Sequence, residues 1–405
     1  MSLDRLDHSL DQEIARLKAE GRAKKPERII TGYVSGRDGH GPRYLLDGEN
    51  KEFLRLNSNS YLSLSHHPAL IEAAEVAGRE FGTGPGAVRF IDGTYRHHRA
   101  LEERIARFTK KPAARIFNSA YTSNCGLALT IGTDKTHWIG DALNHNSIIR
   151  AMRIANVPSF NKGIYAHNDM DDLERCLDRV GDGIERVAVI FDGIFSMRGD
   201  NAPVDRIQEI ARKYSPRFRD GVITVVDDSH GIGAYGATGR GTSEFYMTEP
   251  DIVVGTFGKA FGVNGGFIAA SKTVIEAVRQ KADTYIYTNP LSVADCAAAV
   301  KAIDICDSPE GLDLLDNLQE RTRQLRNGLA ALGRESIAGP HPIVPLLIRE
   351  TGATHRLVSR LFDAGVLAVG LTFPVVPRGE ETIRFQVNAA HREADIDLVL
   401  GLLAG

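Results

Sequence analysis

Cysteine is scarce in this chain. Its 405 residues include four cysteines, Cys125, Cys176, Cys296 and Cys306, and no two of them form a Cys-x-x-Cys pair. A disulfide-stapled fold requires a dense cysteine framework, and a structural zinc site usually draws on closely paired cysteines. The spacing therefore indicates neither kind of site, and we expect no bound metal. It is typical of a protein that works in the reducing cytoplasm.

An excess of charge of one sign is also lacking. Lys and Arg number 49 against 52 Asp and Glu, which gives a formal net charge of −3. Binding to nucleic acid draws on many Lys and Arg contacts to phosphates, and no dense basic block is present to make them. The composition therefore predicts a small-molecule substrate and no nucleic-acid partner.

Long hydrophobic runs are missing as well. No stretch approaches the ~18 uninterrupted apolar residues that indicate a membrane-spanning helix, and the N-terminus has no apolar signal core. We expect neither a membrane span nor an export signal.

The N-terminal segment does have a helical apolar pattern. Apolar side chains recur there at three- and four-residue spacing, at Leu3, Leu6, Leu10, Ile14 and Leu17. This periodicity predicts an amphipathic helix over residues 3–19. Its polar face carries both signs of charge. We therefore expect it to pack on the body of the protein or on a partner subunit rather than on a membrane surface.

From about residue 53 to 280, strand-like and helix-like segments alternate regularly. Apolar runs typical of buried strands lie at residues 114–117, 137–139, 187–191, 223–227, 252–255 and 267–270. Such alternation predicts βαβ units and a mostly parallel sheet. Farther on, the pattern predicts an α+β cap made of a long helical run, two strands and a closing helix, at 294–332, 343–348, 383–387 and from about 393.

Two of the apolar strands lead into chemically active residues. Residues 251–266 (DIVVGTFGKAFGVNGG) run from a strand into small residues and a single lysine, Lys259. Residues 222–236 (VITVVDDSHGIGAYG) place two carboxylates and a histidine at the C-terminal end of another strand, where open α/β sheets bind ligands. A desolvated amine is deprotonated often enough to attack an aldehyde, and a carboxylate such as Asp227 keeps a pyridine nitrogen protonated. Together these features suggest pyridoxal 5′-phosphate (PLP).

Eight motifs in this order resemble the α-oxoamine synthases, PLP enzymes of the aspartate-aminotransferase fold that condense an amino acid with an acyl-CoA. They are residues 57–68 (NSNSYLSLSHHP), 82–94 (GTGPGAVRFIDGT), 118–124 (NSAYTSN), 143–147 (LNHNS), 192–203 (DGIFSMRGDNAP), 226–231 (VDDSHG), 256–262 (TFGKAFG) and 373–384 (FPVVPRGEETIR). The similarity covers about residues 28–400. It implies an α/β protein of PLP fold type I, with a mostly parallel central sheet and a smaller C-terminal α+β domain. We predict an N-terminal arm and helix (1–52), a large PLP-binding domain (53–290) and a C-terminal domain (291–405).

The resemblance implies roles for four residues around the cofactor ring. Lys259 matches the Schiff-base lysine, which also handles the α-proton of the substrate. Asp227 matches the partner of the pyridine nitrogen, and His230 matches the residue that hydrogen-bonds the ring oxygen. His145 matches the histidine that stacks on the ring.

The resemblance also implies the phosphate contacts. Ser119, Ala120 and Tyr121 match the loop whose backbone N–H groups hold the phosphate, although the family usually has Gly-Phe where this chain has Ala-Tyr. Thr256 matches a second contact. Thr288 matches a residue that reaches the phosphate of the neighbouring subunit, which implies a homodimer with shared active sites.

On the substrate side, Arg384 matches the arginine that holds the amino acid carboxylate, and a planar guanidinium suits bidentate binding of that group. Asn59 and Ser196 match residues lining the substrate and ring-oxygen side. Pro85 and Arg198 depart from the family pattern.

The implied reaction joins a small α-amino acid to an acyl-CoA or an acyl-carrier thioester and releases CoA and, in most family members, CO₂. Glycine and alanine are favoured as amino donors over serine. A long-chain condensation of the serine palmitoyltransferase kind stays open, as does an aminotransferase or lyase on the same fold. A non-catalytic subunit is disfavoured because Lys259, Asp227, His230, His145 and Arg384 are all retained.

Overall fold

The computed structural model describes residues 2–24 and 26–404. Its α-helices are α1 (Ser2–Ala19), α2 (Pro68–Phe81), α3 (Arg96–Phe108), α4 (Ala120–Ile131), α5 (Asn146–Ile154), α6 (Met170–Asp178), α7 (Val204–Tyr214), α8 (Thr242–Phe245), α9 (Lys272–Lys281), α10 (Asp283–Ile286), α11 (Val293–Cys306), α12 (Pro309–Ala331), α13 (Thr351–Asp363) and α14 (Glu393–Ala404). Its strands are β1 (Ile30–Val34), β2 (Arg43–Leu46), β3 (Glu52–Arg55), β4 (Ala113–Phe117), β5 (Thr136–Asp141), β6 (Lys162–Tyr165), β7 (Arg186–Asp192), β8 (Val222–Asp227), β9 (Ile252–Thr256), β10 (Gly266–Ala270), β11 (Ile343–Leu347), β12 (Val366–Leu367), β13 (Val369–Leu371) and β14 (Thr382–Gln386).

The central sheet has seven strands in the order β4-β10-β9-β8-β7-β5-β6. Strand β10 runs antiparallel to both of its neighbours, and the remaining pairs are parallel. The predicted mostly parallel sheet is therefore confirmed. All six predicted strands are present, and β6 was missed because Lys162, Gly163 and Ile164 are only partly buried or exposed and do not form an apolar run.

Both faces of this sheet are buried. Along β7, Val187, Val189 and Phe191 pack into one apolar cluster, whereas Ala188 and Ile190 pack into another. Successive strand residues point to opposite faces, so a strand covered on both sides shows an unbroken apolar run. This explains why these strands were visible in the sequence.

The parallel strands end in polar residues at one edge of the sheet. Strand β5 ends at Asp141, β7 at Asp192, β8 at Asp227 and β9 at Thr256. Because the carboxyl ends of parallel strands meet at the same edge, these side chains come together there.

The C-terminal part forms the predicted α+β cap, with the antiparallel sheet β11-β14-β13. The predicted single helical run over 294–332 is wrong, because two helices, α11 and α12, occupy it. Ser308 lies between them and caps α12 by accepting a hydrogen bond from the Gly311 N–H at 3.4 Å. Pro309 follows at the first helical position, where its missing N–H costs nothing.

A second, small sheet joins the N-terminal part of the chain to its C-terminal part. Strands β1, β2 and β3 pair antiparallel, and β12 from the C-terminal part adds to β3 in parallel, with Val366 opposite Leu54. Residues 30–55 thus share a sheet with residues 366–367. The domain boundaries at 52/53 and 290/291 stay a prediction.

Helix α1 includes the predicted span of residues 3–19. Four of its apolar side chains are largely exposed: Leu3, Leu6, Leu10 and Ile14. The expectation that this face packs on the body of the protein is therefore wrong, and packing on a partner subunit stays a prediction. No helix in residues 2–24 and 26–404 is long and apolar enough to cross a membrane.

Candidate active site

Lys259 lies in the tight connection between β9 and β10. The Phe257 N–H donates to the Gly265 carbonyl at 2.9 Å, and the Gly262 N–H donates to the Lys259 carbonyl at 3.0 Å. Gly262 has φ 71°, and a Cβ there would lie 2.6 Å from the Ser65 backbone nitrogen. Glycine is thus required for both its conformation and its close approach. The result is a compact turn that holds the lysine at the edge of the sheet.

The pKa of the Lys259 amine is subject to opposing effects from its surroundings. Burial lowers the pKa of Lys259 to about 8, while the carboxylates of Asp227 and Asp192 oppose that shift. The side chain makes no hydrogen bond to another residue of the described chain. A lysine in this state is neutral in a useful fraction of molecules near neutral pH and is a competent nucleophile or base.

Asp227 is a buried carboxylate at the end of β8. The amide of Asn124 donates to its Oδ2 at 2.7 Å, and the Ser229 N–H donates to its Oδ1 at 3.1 Å. The same Asn124 amide donates to the hydroxyl of Ser147 at 2.9 Å. Asn124 and Ser229, the two donors to Asp227, were not predicted from the sequence as functional residues, although each lies in a motif that carries the family resemblance. Their hydrogen bonds orient Asp227.

Two further carboxylates lie near Asp227. Burial and the charge of Asp227 raise the pKa of Asp192 well above its usual range, although the His145 N–H donates to it at 2.8 Å. Burial likewise raises the pKa of Asp228 to about 7. Asp228 accepts a hydrogen bond from the Thr242 N–H at 2.8 Å, and its carboxylate packs against Gly193, Gly231 and Gly241. Of these three carboxylates, Asp227 is thus the one braced by donors on both of its oxygens.

The two predicted histidines differ in burial and in hydrogen-bond partner. His145 is exposed at the start of α5, and its Nδ1 lies 2.8 Å from the Ser147 hydroxyl. His230 is buried, and its Nδ1 lies 2.7 Å from the hydroxyl of Tyr61. Burial and the charge of Lys259 lower the pKa of His230 well below its usual range, so the ring is neutral.

The N-terminus of α4 lies at the predicted phosphate-binding loop and has the geometry to bind an anion. Ser119 caps the helix by accepting from the Thr122 N–H at 3.1 Å, which leaves the N–H groups of Ala120 and Tyr121 in the first turn. A Cβ at Gly266 would lie 2.2 Å from the Ala120 nitrogen, so glycine allows β10 to pass directly beside this helix end.

Two predicted threonines lie at this end of the site. Thr256 ends β9, and its hydroxyl donates to the Gly265 carbonyl at 2.9 Å. The hydroxyl of Thr288 accepts from the Asn118 amide at 3.2 Å within the same chain. Its reach to the phosphate of a neighbouring subunit stays a prediction.

Arg384 lies on β14, which brings the cap to the site. Its Nη1 donates to the Ser196 carbonyl at 2.6 Å, while its Nε is buried and has no hydrogen-bond partner among residues 2–24 and 26–404. Asn59 accepts from the Gln386 amide at 2.7 Å. The positive charge of Arg384 helps to lower the pKa of both Lys259 and His230. The structure thus brings Arg384, the predicted carboxylate-binding residue, within electrostatic range of the Lys259 amine.

These features fit PLP. The site offers a lysine with a lowered pKa, a braced carboxylate, a helix N-terminus able to bind a phosphate, and a buried guanidinium nitrogen without a partner in the described residues. An aldehyde, a pyridine nitrogen, a phosphate and a substrate carboxylate require these four groups.

Comparisons with known proteins agree. Residues 51–403 match the family model of aminotransferase class I and II. The chain is 38% identical to the 8-amino-7-oxononanoate synthase of Geobacter metallireducens, over 98% of both chains, and 35% identical to 8-amino-7-oxononanoate synthase 1 of Bacillus velezensis, over 97% of both.

Solved structures of serine palmitoyltransferase have the same fold. The Sphingomonas wittichii enzyme superimposes with a TM-score of 0.87 at 26% identity, covering 99% of this chain and 97% of that one. A S. paucimobilis serine palmitoyltransferase solved with bound PLP and myriocin gives a TM-score of 0.86 at 26% identity, with the same coverage. The predicted fold type I, cofactor and family are confirmed. The chain belongs to the α-oxoamine synthases within the class I and II aminotransferase family, and it is a PLP-dependent acyltransferase that condenses an acyl group with an amino acid.

Proposed function

We propose that this enzyme condenses glycine or alanine, in preference to serine, with an acyl-CoA to give an α-amino ketone. A carbon–carbon bond forms between the amino acid α-carbon and the thioester carbonyl, and the carbon–sulfur bond breaks to release CoA. Loss of the amino acid carboxyl group as CO₂ completes the reaction. Both the amino acid and the CoA donor are inferred from the family.

One observation supports this proposal above the others. The Arg384 Nε is buried without a partner in the part of the chain that the structure describes, and the guanidinium is close enough to lower the pKa of Lys259 further. A buried guanidinium N–H without an acceptor is available to bind a ligand carboxylate. An amino acid carboxylate on Arg384 would provide the missing acceptor and place the α-carbon beside the Lys259 amine.

Each residue then has a defined task. PLP, when bound, supplies an electron sink for the charge that develops at the α-carbon. Asp227, braced by Asn124, holds a proton at the pyridine nitrogen, and the α4 N-terminus binds the phosphate. The Nζ of Lys259 accepts the α-proton. His230, neutral and buried, donates a hydrogen bond towards the ring oxygen.

A cavity of about 640 Å³ beside His145 and Ser196 is the proposed acyl site. Its apolar lining consists of Leu143, Phe195, Met197, Ile337, Leu347, Val375, Val376 and Pro377. Burial of apolar surface contributes about 25 cal/mol per Å², or ~0.8 kcal/mol for each CH₂ group. This lining favours an extended acyl chain over acetyl, and it supports long-chain condensation with serine as the second candidate.

The test is CoA-thiol release by the PLP-loaded enzyme. Glycine, alanine and serine are each offered with acetyl-, pimeloyl- and palmitoyl-CoA. We expect release in one combination, none with Lys259→Ala, and unchanged release with Lys272→Ala, a control on an exposed lysine of α9. No release in any combination from an enzyme that retains its PLP absorbance would overturn the CoA proposal. The same grid with acyl-carrier thioesters then tests the carrier-bound donor.

Two parts of the proposal concern the whole protein. We propose a homodimer in which Thr288 completes the phosphate site of the partner subunit, and a cytoplasmic location. Sedimentation of the wild-type protein tests the first. A monomer with full activity would contradict it.

A further inference from the structure

Tyr61 is a fully buried residue that none of the roles above uses. Its hydroxyl lies 2.7 Å from Nδ1 of His230, although 169 residues separate the two in the sequence. It lies in the loop after β3, so the contact joins an N-terminal loop to the loop that follows β8. A buried hydroxyl on a site histidine has a chemical consequence, because it selects which ring nitrogen carries the proton.

The direction of this hydrogen bond follows from the neighbours of the hydroxyl. Apart from Nδ1, the other acceptor within hydrogen-bond distance of the hydroxyl in the described chain is Oδ1 of Asn59, at 3.4 Å. That oxygen already accepts from the Gln386 amide at 2.7 Å. A bond of 2.7 Å is at the optimum for a hydroxyl donor, whereas 3.4 Å is beyond the usual range. The Tyr61 proton therefore goes to Nδ1 of His230.

An Nδ1 that accepts leaves the proton of the neutral ring on Nε2. In the described chain, Nε2 of His230 makes no hydrogen bond to another residue. It is thus a donor whose partner must come from outside the chain. The opposite tautomer would present a lone pair there and could not donate to an oxygen.

A second histidine, His341, contacts both His230 and Tyr61. The Ile343 N–H donates to Nδ1 of His341 at 3.1 Å, so the proton of His341 is on Nε2, which donates to the His230 carbonyl at 2.9 Å. The fully buried His341 ring also packs edge-on against the Tyr61 ring, with centroids 5.2 Å apart. The backbone of His230 and the ring of Tyr61 therefore share one support from the cap.

We propose that Tyr61 is a positioning residue that holds His230 as the Nε2–H tautomer, and that His341 fixes both against the cap. The expected recipient of the Nε2–H bond is an oxygen that gains negative charge, such as the cofactor ring oxygen or the thioester oxygen. The inference rests on the proposed role of His230. The tautomer itself can be measured without any reaction.

The experiment uses full-length, PLP-free protein labelled with ¹⁵N-histidine. Long-range ¹H–¹⁵N spectra report which nitrogen of each ring is protonated, and His230→Gln identifies the His230 signals. We expect Nδ1 of His230 to be unprotonated and Nε2 protonated in the wild type. Tyr61→Phe keeps the ring and removes the hydroxyl, so the Nδ1 signal should shift towards a mixture of tautomers. A wild-type Nδ1 that is protonated would overturn the proposal, whether or not the variant folds.

Tyr235→Phe is the matched control. Tyr235 is also a buried tyrosine near His341, with ring centroids 5.9 Å apart, but its hydroxyl has no hydrogen-bond partner among the residues that the structure describes. Its variant should leave the His230 signals unchanged. An unchanged Nδ1 signal in folded Tyr61→Phe would also overturn the proposal.

Kinetics provide the second readout. With PLP and the active substrate pair, Tyr61→Phe should lower kcat about 10- to 100-fold, the usual loss when an orienting partner is removed. KM for the amino acid should stay within about twofold, because Arg384 is untouched. A change in KM alone would contradict the role. If no substrate pair is active, the proposed function fails while the tautomer measurement still decides the present inference.

Discussion

The amide of Asn124 donates a hydrogen bond of 2.7 Å to the carboxylate of Asp227, across 103 residues of sequence. Asn124 lies within the first turns of α4, whose N-terminus is the proposed phosphate site, and Asp227 ends β8. One helix therefore contacts both ends of the proposed cofactor site. Removing the Asn124 amide should therefore weaken cofactor binding, although Asn124 itself is not a predicted cofactor contact.

Asn124→Ala is expected to raise the Kd for PLP about 10- to 100-fold, because a hydrogen bond to a charged group contributes about 1.5–3 kcal/mol. Titration of PLP-free protein by absorbance measures it. Asn161→Ala is the control, since Asn161 is a buried asparagine that bonds the Asp134 carbonyl instead. Equal losses in both variants would show that the effect is general destabilisation.

Lys259 should react as an amine with a lowered pKa. Since burial lowers the pKa of Lys259 to about 8, its rate of modification by trinitrobenzenesulfonate in PLP-free protein should level off above about pH 8. A hydrogen bond to Glu185 raises the pKa of Lys135, so its rate should continue to rise through pH 10. Peptide mass spectrometry separates the two sites. Matching profiles would refute the assigned pKa of Lys259.

Arg384→Lys keeps the positive charge but loses the planar fork of donors. We expect KM for the amino acid to rise about 10- to 100-fold, with a smaller change in kcat, because the charged hydrogen bonds lost contribute about 1.5–3 kcal/mol. Arg356→Lys, on an exposed ion pair with Glu350, should leave KM unchanged. An Arg384→Lys enzyme with normal KM would mean that the carboxylate binds elsewhere.

Gly266→Ala should destabilise the fold by about 1–3 kcal/mol, the usual cost of overpacking. The new Cβ would lie 2.2 Å from the Ala120 nitrogen, and backbone cannot rotate away as a side chain does. A Cβ added at Gly401 in α14 would have no neighbour within 4 Å in the described chain apart from the backbone of its own helix. Gly401→Ala should therefore stabilise the fold by ~0.5–1 kcal/mol. Urea unfolding measures both. Changes in unfolding free energy of the same sign in both variants would contradict the close approach of β10 to α4.

A histidine outside the proposed catalytic set gives a pH-dependent contribution to stability. Burial disfavours the charged form of His167, but hydrogen bonds to Asp141 and Asp200 outweigh it and raise the pKa to about 9 from an ordinary value of 6.5. The folded state therefore binds the proton more tightly, so this stabilisation is complete below pH 6.5 and is lost as pH rises through 9.

The deficit in unfolding free energy of His167→Gln, on the order of 3 kcal/mol at most from a shift of this size, should be largest near pH 6 and should shrink towards pH 9.5. Urea unfolding at several pH values measures it. Burial lowers the pKa of His137, so His137→Gln should show no such decline. A deficit for His167→Gln that does not change with pH would refute the charged state.

Much of the large domain was predictable because its strands are covered on both faces. The unbroken apolar runs at β7, β8 and β9 are visible in the sequence, and polar residues at their ends follow from the parallel arrangement. The small sheet was not predictable, because β1 is mostly exposed and β12 has two residues. Its pairing depends on a contact across more than 300 residues of chain, which periodicity does not report.

The site divides along the same line. Lys259, Asp227 and His230 lie in short motifs with a clear chemical pattern. Asn124 and Tyr61 were missed as functional residues because an asparagine within a helix or a tyrosine in a loop has no pattern of its own. Their roles follow from a hydrogen bond to a residue that is distant in sequence. Such partners emerge only when the strands and loops are placed in space.

The position of Arg384 on β14, far along the chain from the central sheet, has a consequence for synthesis on the ribosome. Residues 113–270 supply all seven strands of the central sheet together with Ser119, Asp227 and Lys259. This part emerges more than 100 residues before Arg384. A nascent chain can therefore assemble most groups of the cofactor site early, whereas Arg384, the proposed binding group for the amino acid carboxylate, arrives with β14, the last strand of the described residues.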